Sequence, residues 1–287
     1  MPAPSVSFEF FPPKSLPASF RLWDCVQTLA PLQPRFVSVT YGAGGTTRQL
    51  THEAVEALTK NADLPVAAHL TCVDATRAET LAIADTYKQA GVSHIVALRG
   101  DPPKGATSFQ PNPDGFAGSI ELTRALADRG FDVTVGAYPE THPDATSQQA
   151  CIDHLKAKID AGATRAITQF FFEADTFLRF RDICVAAGIA APIVPGILPV
   201  ESWTGVQKFA ALCGATIPAL LHDAFDNAQG TDSADLMATA HATELCDTLC
   251  SEGVEDLHFY TLNKPELTRD VCHALGVLPK MDLQNVA

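Results

Sequence analysis

Short apolar segments rich in Val, Ile, Phe and Tyr recur about every 30 residues along almost the whole chain. Each ends at Gly, Pro, Asp or Asn, which is typical of β-strands, and stretches of helical periodicity fill the intervals. The eight predicted strands are Val6–Phe11, Phe36–Tyr41, Val66–Cys72, His94–Leu98, Val133–Tyr138, Ala166–Phe172, Ile193–Leu198 and Leu257–Leu262. Predicted helices lie around Leu50–Leu58, from a cap at Asp74–Thr76 towards Gly91, and at Ser119–Arg129, Ser147–Ala161, Ala174–Ala187 and Glu201–Cys213.

About 30 residues hold one β-strand and the helix that returns to the start of the next parallel strand. Eight such units predict an α/β protein with a (β/α)8 TIM barrel. An open doubly wound sheet is the alternative, but eight evenly spaced units favour closure. The last interval is about twice as long as the others, and it predicts extra helices before the last strand, at Pro218–Asp226 and after Ser233. No linker divides the chain, so we predict a single catalytic domain over residues 1–287.

The composition is that of a compact enzyme-like domain, since 46% of the 287 residues are hydrophobic and only 18% are charged. The net charge of −13 disfavours binding to nucleic acid or to an anionic membrane. The N-terminus lacks the basic and apolar regions of a signal peptide, and no apolar run approaches the roughly 18 residues of a membrane span. We therefore expect a cytoplasmic protein without nucleic-acid or membrane partners.

The eight cysteines are scattered, and most lie in apolar or helical stretches. Cys246 and Cys250 share one face of a predicted helix, which is compatible with metal ligation. However, no matching Cys or His pair follows at zinc-site spacing. We therefore predict free thiols in a reducing compartment and no metal site.

The first predicted strand carries one acid, Glu9, among three phenylalanines and before Pro12-Pro13. Burial disfavours the charged form of a carboxyl group, and a carboxyl that keeps its proton can act as a general acid. The alternative is an edge-strand glutamate that points into water. Glu9 is therefore a candidate catalytic acid on the first strand.

The active site of a (β/α)8 barrel lies at the carboxyl ends of its strands. After strand four, Gly100 permits close backbone approach, Arg99 can pair with a diphosphate, and Asp101 adds a second carboxylate near Glu9. An ordinary Arg–Asp loop pair is the alternative. After strand two, the glycine loop 42–45 could bring backbone N–H groups to a phosphate, although a plain tight turn is the simpler interpretation.

Further polar and aromatic side chains close other strands, and the histidines and tyrosines among them have a structural alternative as core residues or, for His142, a capped turn. They are His69, Tyr138, His142, Gln169 and Tyr260. No serine lies on a strand-to-helix elbow, and no His/Asp/Glu cluster has metal spacing. Two carboxyls, an arginine, aromatic faces and an amide without a nucleophile favour a flat, phosphate-bearing cofactor such as a flavin or a nicotinamide.

Eight motifs of this chain closely resemble those of methylenetetrahydrofolate reductases of the bacterial, catalytic-domain-only type, and the likeness runs from the first strand to the last helix. The motifs are Ser7–Lys14 (SFEFFPPK), Val37–Gly42 (VSVTYG), His69–Cys72 (HLTC), Ile95–Asp101 (IVALRGD), Ala137–Pro143 (AYPETHP), Arg165–Phe172 (RAITQFFF), Pro195–Val200 (PGILPV) and His258–Asn263 (HFYTLN). The resemblance implies a (β/α)8 barrel that carries FAD and reduces 5,10-methylenetetrahydrofolate to 5-methyltetrahydrofolate with NADH or NADPH.

The resemblance also implies residue roles. Glu9 resembles the general acid that protonates N10 of the folate, and Asp101 resembles the carboxylate near flavin and pterin. Gln169 resembles the amide that bonds the pterin or the nicotinamide, and Phe209 a residue that packs against either substrate. The expected substrate-binding residues are Gln169, Phe209, Tyr260 and Lys264.

The same resemblance places FAD contacts on eleven positions, with Lys158 as the positive charge near the flavin N1/O2 edge. They are Thr40, Ala43, His69, Arg99, Gly100, Asp101, Ala117, Tyr138, His142, His154 and Lys158. The chain departs from the family pattern at four positions: Cys151 replaces an Asp, Ala157 an Arg, Gly205 a Gln and Lys264 an Arg.

One site for two substrates implies ping-pong kinetics, and the reaction would feed methionine synthesis and one-carbon metabolism. The expected partners are small folate and nicotinamide molecules, together with further copies of the chain in a homo-oligomer. A flavin-free folate barrel that transfers a methyl group and a non-catalytic barrel are the alternatives.

Overall fold

The computed structural model describes residues 2–41, 48–102, 105, 108–228, 231 and 233–280. Its nine strands form one parallel sheet in the order β7-β6-β5-β4-β3-β2-β1-β9-β8. The strands are β1 Ser5–Phe10, β2 Val37–Val39, β3 Val66–Thr71, β4 His94–Leu98, β5 Asp132–Ala137, β6 Arg165–Thr168, β7 Ile193–Val194, β8 Gly196–Ile197 and β9 Asp256–Tyr260. The predicted (β/α)8 barrel is confirmed.

The helices alternate with the strands and surround them. They are α1 Leu16–Leu29, α2 Arg48–Asn61, α3 Arg77–Gln89, α4 Ser119–Ala127, α5 Gln148–Asp160, α6 Ala174–Ala186, α7 Trp203–Cys213, α8 Ala219–Ala228, α9 Ser233–Ser251 and α10 Glu266–Ala274, with a 3₁₀ turn at Ala30–Leu32. Both α8 and α9 precede the last strand, so the predicted extra helices are confirmed as well.

Strands β7 and β8 are two halves of one strand position, separated by Pro195. The first half pairs with β6 through Ile167 and Val194, and the second pairs with β9 through Ile197 and Phe259. Proline has no N–H to donate to a ladder, but its carbonyl accepts from the backbone N–H of His258 at 3.0 Å. The seventh strand therefore bridges β6 and β9 and closes the ring.

Side-chain caps set the starts of several helices. Thr76 and Glu79 form a capping box on α3, and Ser147 accepts from the backbone N–H of Ala150 at 3.1 Å on α5.

The sequence interpretation omitted α1 and α10. Pro17 lies near the start of α1, where its missing N–H is tolerated, and Pro265 directly precedes α10; prolines in these places resemble helix breaks in sequence.

The predicted sixth strand, Ala166–Phe172, ends early, at Thr168. Its three phenylalanines are buried but lie beyond the strand: the ring of Phe171 stacks on Phe177 of α6 at 5.6 Å, while Phe170 and Phe172 pack with Trp203 of α7. A continuous aromatic run in a sequence predicts a buried strand. In the structure these three rings instead pack against helices α6 and α7.

The main hydrophobic core lies between the barrel and its helices. The smallest of three hydrophobic clusters fills the barrel interior with side chains of Phe36, Ala67, Val96, Ile167 and Val194. All eight cysteines are free thiols, and five of them are buried. None of the described helices is long and apolar enough to span a bilayer.

The closure of the ring depends on the absence of a side chain at Gly196. A Cβ there would lie 2.2 Å from the carbonyl oxygen of Thr168 and 2.6 Å from the ring of Tyr260. We predict that Gly196→Ala lowers the free energy of unfolding by about 2–3 kcal/mol, because overpacking forces the backbone apart. Urea denaturation measures the change.

Gly118→Ala is the matched control for Gly196→Ala. A Cβ at Gly118 meets no atom within 4 Å, and the backbone there is extended. Equal unfolding free energies for the two variants would show that the ring closes without requiring a glycine at position 196.

Candidate active site

A cavity of about 920 Å³ opens at the carboxyl ends of the barrel strands. Most of the residues that line it come from the loops and strand ends predicted to form the site. The predicted site residues among them are Glu9, Thr40, His69, Asp101, Tyr138, Gln169, Phe209, Tyr260 and Lys264. The barrel therefore gathers residues that are up to about 250 positions apart in sequence into one cavity.

Glu9 projects from β1 into this cavity between two histidines. Its Oε2 atom lies 3.4 Å from Nε2 of His69 and 3.7 Å from Nε2 of His258, and its side chain is 15% exposed. Both imidazole nitrogens are buried and have no hydrogen-bond partner among the described residues. Glu9 is therefore neither an edge residue in water nor a sealed core acid, but a cavity-lining carboxyl with histidine neighbours.

The histidine His258 is fixed from behind by Ser7, whose Oγ lies 2.8 Å from Nδ1. The ring of His258 also stacks on Phe36 at 5.8 Å. Burial lowers the pKa of His69, and the charge of Glu9 opposes that shift only in part. The His69 imidazole is consequently neutral near pH 7 and places no full positive charge beside Glu9.

The Tyr260 ring stands beside Glu9, since the two residues pair in register across β1 and β9. The hydroxyl of Tyr260 donates to the carbonyl oxygen of Thr168 at 2.6 Å. Burial holds the pKa of Tyr260 well above its usual value, and Glu9 adds to the shift. Tyr260 is therefore a fixed, protonated wall of the cavity.

Asp101, Gln169 and Phe209 line other parts of the cavity. The Oε1 atom of Gln169 accepts from the backbone N–H of Phe170 at 3.0 Å, which leaves the NH₂ end as the group available to a ligand. Phe209 is 39% exposed and presents an aromatic face. Cys213, one turn further along α7, lines the cavity as well.

A groove of about 460 Å³ continues from the cavity along the β4 and β5 loops towards α5. Asp101 and Tyr138 line both spaces, so the two are continuous. Other predicted cofactor residues that line the groove are Arg99, Gly100, His142, His154 and Lys158. The hydroxyl Oγ1 of Thr71, which also lines the groove, is buried without a partner among the described residues.

Arg99 is oriented in the groove by two neighbours. Its guanidinium pairs with Asp144 at 2.8 Å and lies 5.1 Å from the centre of the Phe109 ring. Gly100 follows with φ +88°, and a Cβ there would lie 2.6 Å from Val73. This turn therefore requires glycine, as its predicted role of close backbone approach demands.

Two histidines of the groove are neutral near pH 7. Burial lowers the pKa of His142, and burial together with Lys158 lowers that of His154 to about 4. Nδ1 of His142 accepts from the backbone N–H of Asp144 at 3.0 Å, so the neutral ring carries its proton on Nε2. His142 can thus donate a hydrogen bond to a ligand, and its ring packs edge-on against Tyr138 at 4.4 Å.

Lys158 is a buried cation on α5. Its Nζ donates to the carbonyl oxygen of Gly136 and has no carboxylate partner among the described residues. Burial lowers its pKa to about 8. Cys151, which stands where the family resemblance leads us to expect an aspartate, instead accepts from the backbone N–H of His142 at 3.4 Å.

Three predicted residues stand apart from this arrangement. Ala43 lies outside the described residues. Ala117 is exposed and lines neither space; its backbone N–H donates to Glu121 at 3.1 Å. Lys264 does line the cavity, but its Nζ lies 3.5 Å from the carboxylate of Glu201.

The sequence interpretation missed Ser7 and His258, the pair behind Glu9. Each lies two residues before a predicted site residue, Glu9 or Tyr260, and side chains two apart in a strand share one face. Strand alternation was the signal that could have found them. Among the described residues, no three His, Cys, Asp or Glu side chains form a metal-binding group.

Comparison with known proteins agrees with this arrangement. A model of the family "Methylenetetrahydrofolate reductase" matches residues 2–276. The chain is 46% identical to the 5,10-methylenetetrahydrofolate reductase of Salmonella typhimurium over 279 residues, which cover 96% of this chain and 92% of that protein. The Escherichia coli enzyme of the same name is 46% identical over 277 residues, with the same coverage.

A solved structure from Clostridium thermocellum has a similar fold, with a TM-score of 0.61 and 14% identity over 96% of this chain and 95% of that chain. It is described as an uncharacterized protein that binds two copies of 5-methyl-5,6,7,8-tetrahydrofolic acid. At this identity the likeness supports the fold alone. The family match and the bacterial relatives carry the assignment: the chain belongs to the methylenetetrahydrofolate reductase family, oxidoreductases that reduce 5,10-methylenetetrahydrofolate to 5-methyltetrahydrofolate.

Proposed function

We propose that the chain carries out this reduction with NADH or NADPH as electron donor and FAD as the bound hydride carrier, in ping-pong fashion. The observation that carries the proposal is the position of Glu9, a carboxyl in a large cavity with neutral His69 on one side and His258 on the other. Such a group can hold a proton next to a bound substrate and deliver it.

Glu9 is proposed to protonate N10 of 5,10-methylenetetrahydrofolate. Breaking the bond between N10 and the methylene carbon then leaves a cationic iminium at N5, which accepts a hydride. Ser7 and His258 hold the carboxyl from behind, because Ser7 fixes the His258 ring that faces Oε2.

The remaining cavity residues are proposed to orient the substrate and to stabilise its charge. Asp101 supplies a carboxylate that favours the cationic iminium. The NH₂ group of Gln169 is available to a pterin or nicotinamide carbonyl, and Phe209 offers a ring face to either. Because one cavity receives both substrates, they would bind alternately, which is the ping-pong order.

The groove fits FAD by the chemistry of its donors. Arg99 and His142 offer N–H groups that suit a diphosphate, and buried Thr71 has an unused hydroxyl. Buried Lys158 has only a carbonyl oxygen as partner, so a negatively charged group beside it would relieve the cost of its burial. Arg99, His142, Tyr138 and Lys158 would hold the cofactor, which would supply the hydride-transfer chemistry.

The catalytic role of Glu9 can be separated from flavin chemistry. We predict that Glu9→Gln keeps the bleaching of flavin absorbance by NADH within about twofold of the wild-type rate. Reduction of methylenetetrahydrofolate should fall by about 10²–10⁴, since the amide cannot deliver a proton. Stopped-flow absorbance measures each half-reaction on the same sample.

Glu255→Gln is the matched control for Glu9→Gln, because Glu255 precedes β9 at the opposite end of the barrel. It should leave both half-reactions unchanged. Normal folate reduction by Glu9→Gln would exclude Glu9 as the acid. A purified protein that takes up no FAD would favour a methyl-transfer barrel instead.

The buried charge of Lys158 should lower the free energy of unfolding of the cofactor-free protein by an amount that depends on pH. Its pKa is about 8 in the folded protein against 10.5 for an ordinary lysine, so the unfolded chain binds more protons between these values. The free energy of unfolding therefore rises with pH between about 8 and 10.5. Below pH 8 the destabilisation by Lys158 has its full magnitude. We predict that Lys158→Met stabilises the apoprotein at pH 7 by about 1–3 kcal/mol and by less at pH 9.5.

The same substitution should weaken FAD binding at least about tenfold, because the positive charge in the groove proposed to hold the cofactor is lost. Flavin fluorescence titration measures the dissociation constant, and urea denaturation at the two pH values measures stability. Lys208→Met, at an exposed position of α7, controls for loss of a charge. Unchanged FAD affinity in Lys158→Met would contradict the role of Lys158.

A further inference from the structure

A side-chain amide continues the ladder between β1 and β9 beyond the end of β9. The backbone N–H and the hydroxyl of Thr261 both donate to the carbonyl oxygen of Glu9, at 3.3 and 2.7 Å. Further out, Oδ1 of Asn263 accepts from the backbone N–H of Phe11 at 2.8 Å, and Nδ2 donates to the Phe11 carbonyl at 2.9 Å. We call this pair of bonds the Asn263 clamp. It takes the place of the two backbone bonds that a longer β9 would make to Phe11.

The clamp is needed because the chain turns sharply after β9. Leu262 and Asn263 both have left-handed backbones, with φ +51° and +56°, and the N–H of Lys264 donates to the Thr261 carbonyl at 2.9 Å. Asparagine tolerates this conformation, whereas leucine adopts it rarely. Such strain persists where the surroundings fix it, and it is concentrated at functional sites. Both left-handed residues line the cavity that contains Glu9.

The clamp holds an exposed aromatic ring at the cavity wall. Phe11 lines the cavity and is 41% exposed, whereas its neighbour Phe10 is buried in the main hydrophobic core. Side chains alternate along an extended chain, so Phe11 shares the inner face of the barrel with Glu9. Among the described residues, no hydrophobic cluster includes Phe11. Its ring is therefore free to pack against a ligand.

The chemistry of the substrate brings a ring to this position. Glu9 is proposed to protonate N10 of the folate, and N10 is bonded directly to the aminobenzoyl ring. Phe11 lies two residues beyond Glu9 towards the mouth, about 7 Å along the extended chain. A ring attached to N10 therefore lies within reach of Phe11. A nicotinamide takes no proton from Glu9 when it delivers its hydride, so the same constraint does not hold it at this wall.

We propose that Asn263 is a positioning residue of the folate half-reaction: its clamp fixes Phe11, whose ring packs against the aminobenzoyl ring on N10. This inference rests on the proposed function. The backbone of Glu9 is held separately, by the two bonds from Thr261. Loss of the clamp should therefore weaken folate binding and leave proton delivery intact.

Asn263→Gly removes the clamp without straining the turn, because glycine adopts a positive φ readily. The methylenetetrahydrofolate concentration that gives half-maximal reoxidation of the reduced flavin should rise about 5- to 30-fold, since the two hydrogen bonds that fix Phe11 are lost. The limiting rate of reoxidation and the rate of flavin bleaching by NADH should each stay within about twofold of wild type. Stopped-flow absorbance measures all three quantities.

Phe11→Leu tests the ring while it keeps both backbone bonds to Asn263. This exposed substitution should fold normally and raise the same half-maximal concentration about 3- to 10-fold, through loss of a ring face. If the clamp acts through the Phe11 ring, the two substitutions are not independent. The double variant Asn263→Gly/Phe11→Leu should therefore bind folate within about twofold of Asn263→Gly alone.

Asn61→Gly is the matched control for a lost amide bond. Asn61 ends α2, before β3 and at the opposite end of the barrel, and its Nδ2 donates to the Ala57 carbonyl at 2.7 Å. It lines neither the cavity nor the groove. This variant should lower the free energy of unfolding, measured in urea, and leave both half-reactions unchanged.

Equal losses in the folate and NADH half-reactions of Asn263→Gly would overturn the positioning role, since they indicate a general structural defect. Effects of Asn263→Gly and Phe11→Leu that multiply in the double variant would also overturn it. A wild-type protein that does not reduce methylenetetrahydrofolate would refute the proposed function itself. An active wild type with unshifted folate binding in both single variants would refute only the role of Asn263 and Phe11.

Discussion

The switch of the seventh strand from β6 to β9 is the constraint on which the rest of the structure depends. The two halves of this strand position pair with different strands: Ile193–Val194 with β6 and Gly196–Ile197 with β9. Pro195 lies between the halves, where neither ladder needs the N–H that proline lacks. Gly196 then lets Tyr260 reach the Thr168 carbonyl across the junction. Because the ring closes there, Gln169 after β6 and Glu9 on β1 line the same cavity.

The wall of this cavity around Glu9 is polar, although a hydrophobic cluster fills the barrel interior. The buried nitrogens of His69 and His258 face one carboxylate oxygen, and neither has a full hydrogen-bond partner among the described residues. Unpaired buried polar groups cost stability, and functional sites are where such costs are retained. The large hydrophobic core between barrel and helices offsets them.

The mouth of the barrel divides its charge between two sides. The β4–β5 side carries Arg99 and Lys158 along a groove that suits a dinucleotide. The β1–β9 side carries exposed Lys14 and Arg21, with the cavity between the two sides. An acidic protein can bind two anionic molecules in this way, because local positive charge at each entrance outweighs a repulsive net charge that salt screens over about 10 Å.

The sequence by itself determined the repeating strand–helix unit, the eight strand positions and most residues at the strand ends, because strand and helix periodicity and turn residues are local properties. It also supplied Glu9 as a candidate acid. Only the tertiary structure decided that Phe170–Phe172 leaves the sheet, that Ser7 and His258 stand behind Glu9, and that Glu201 compensates Lys264. These features join residues that are distant in the chain, and their contacts exist only once the ring has closed.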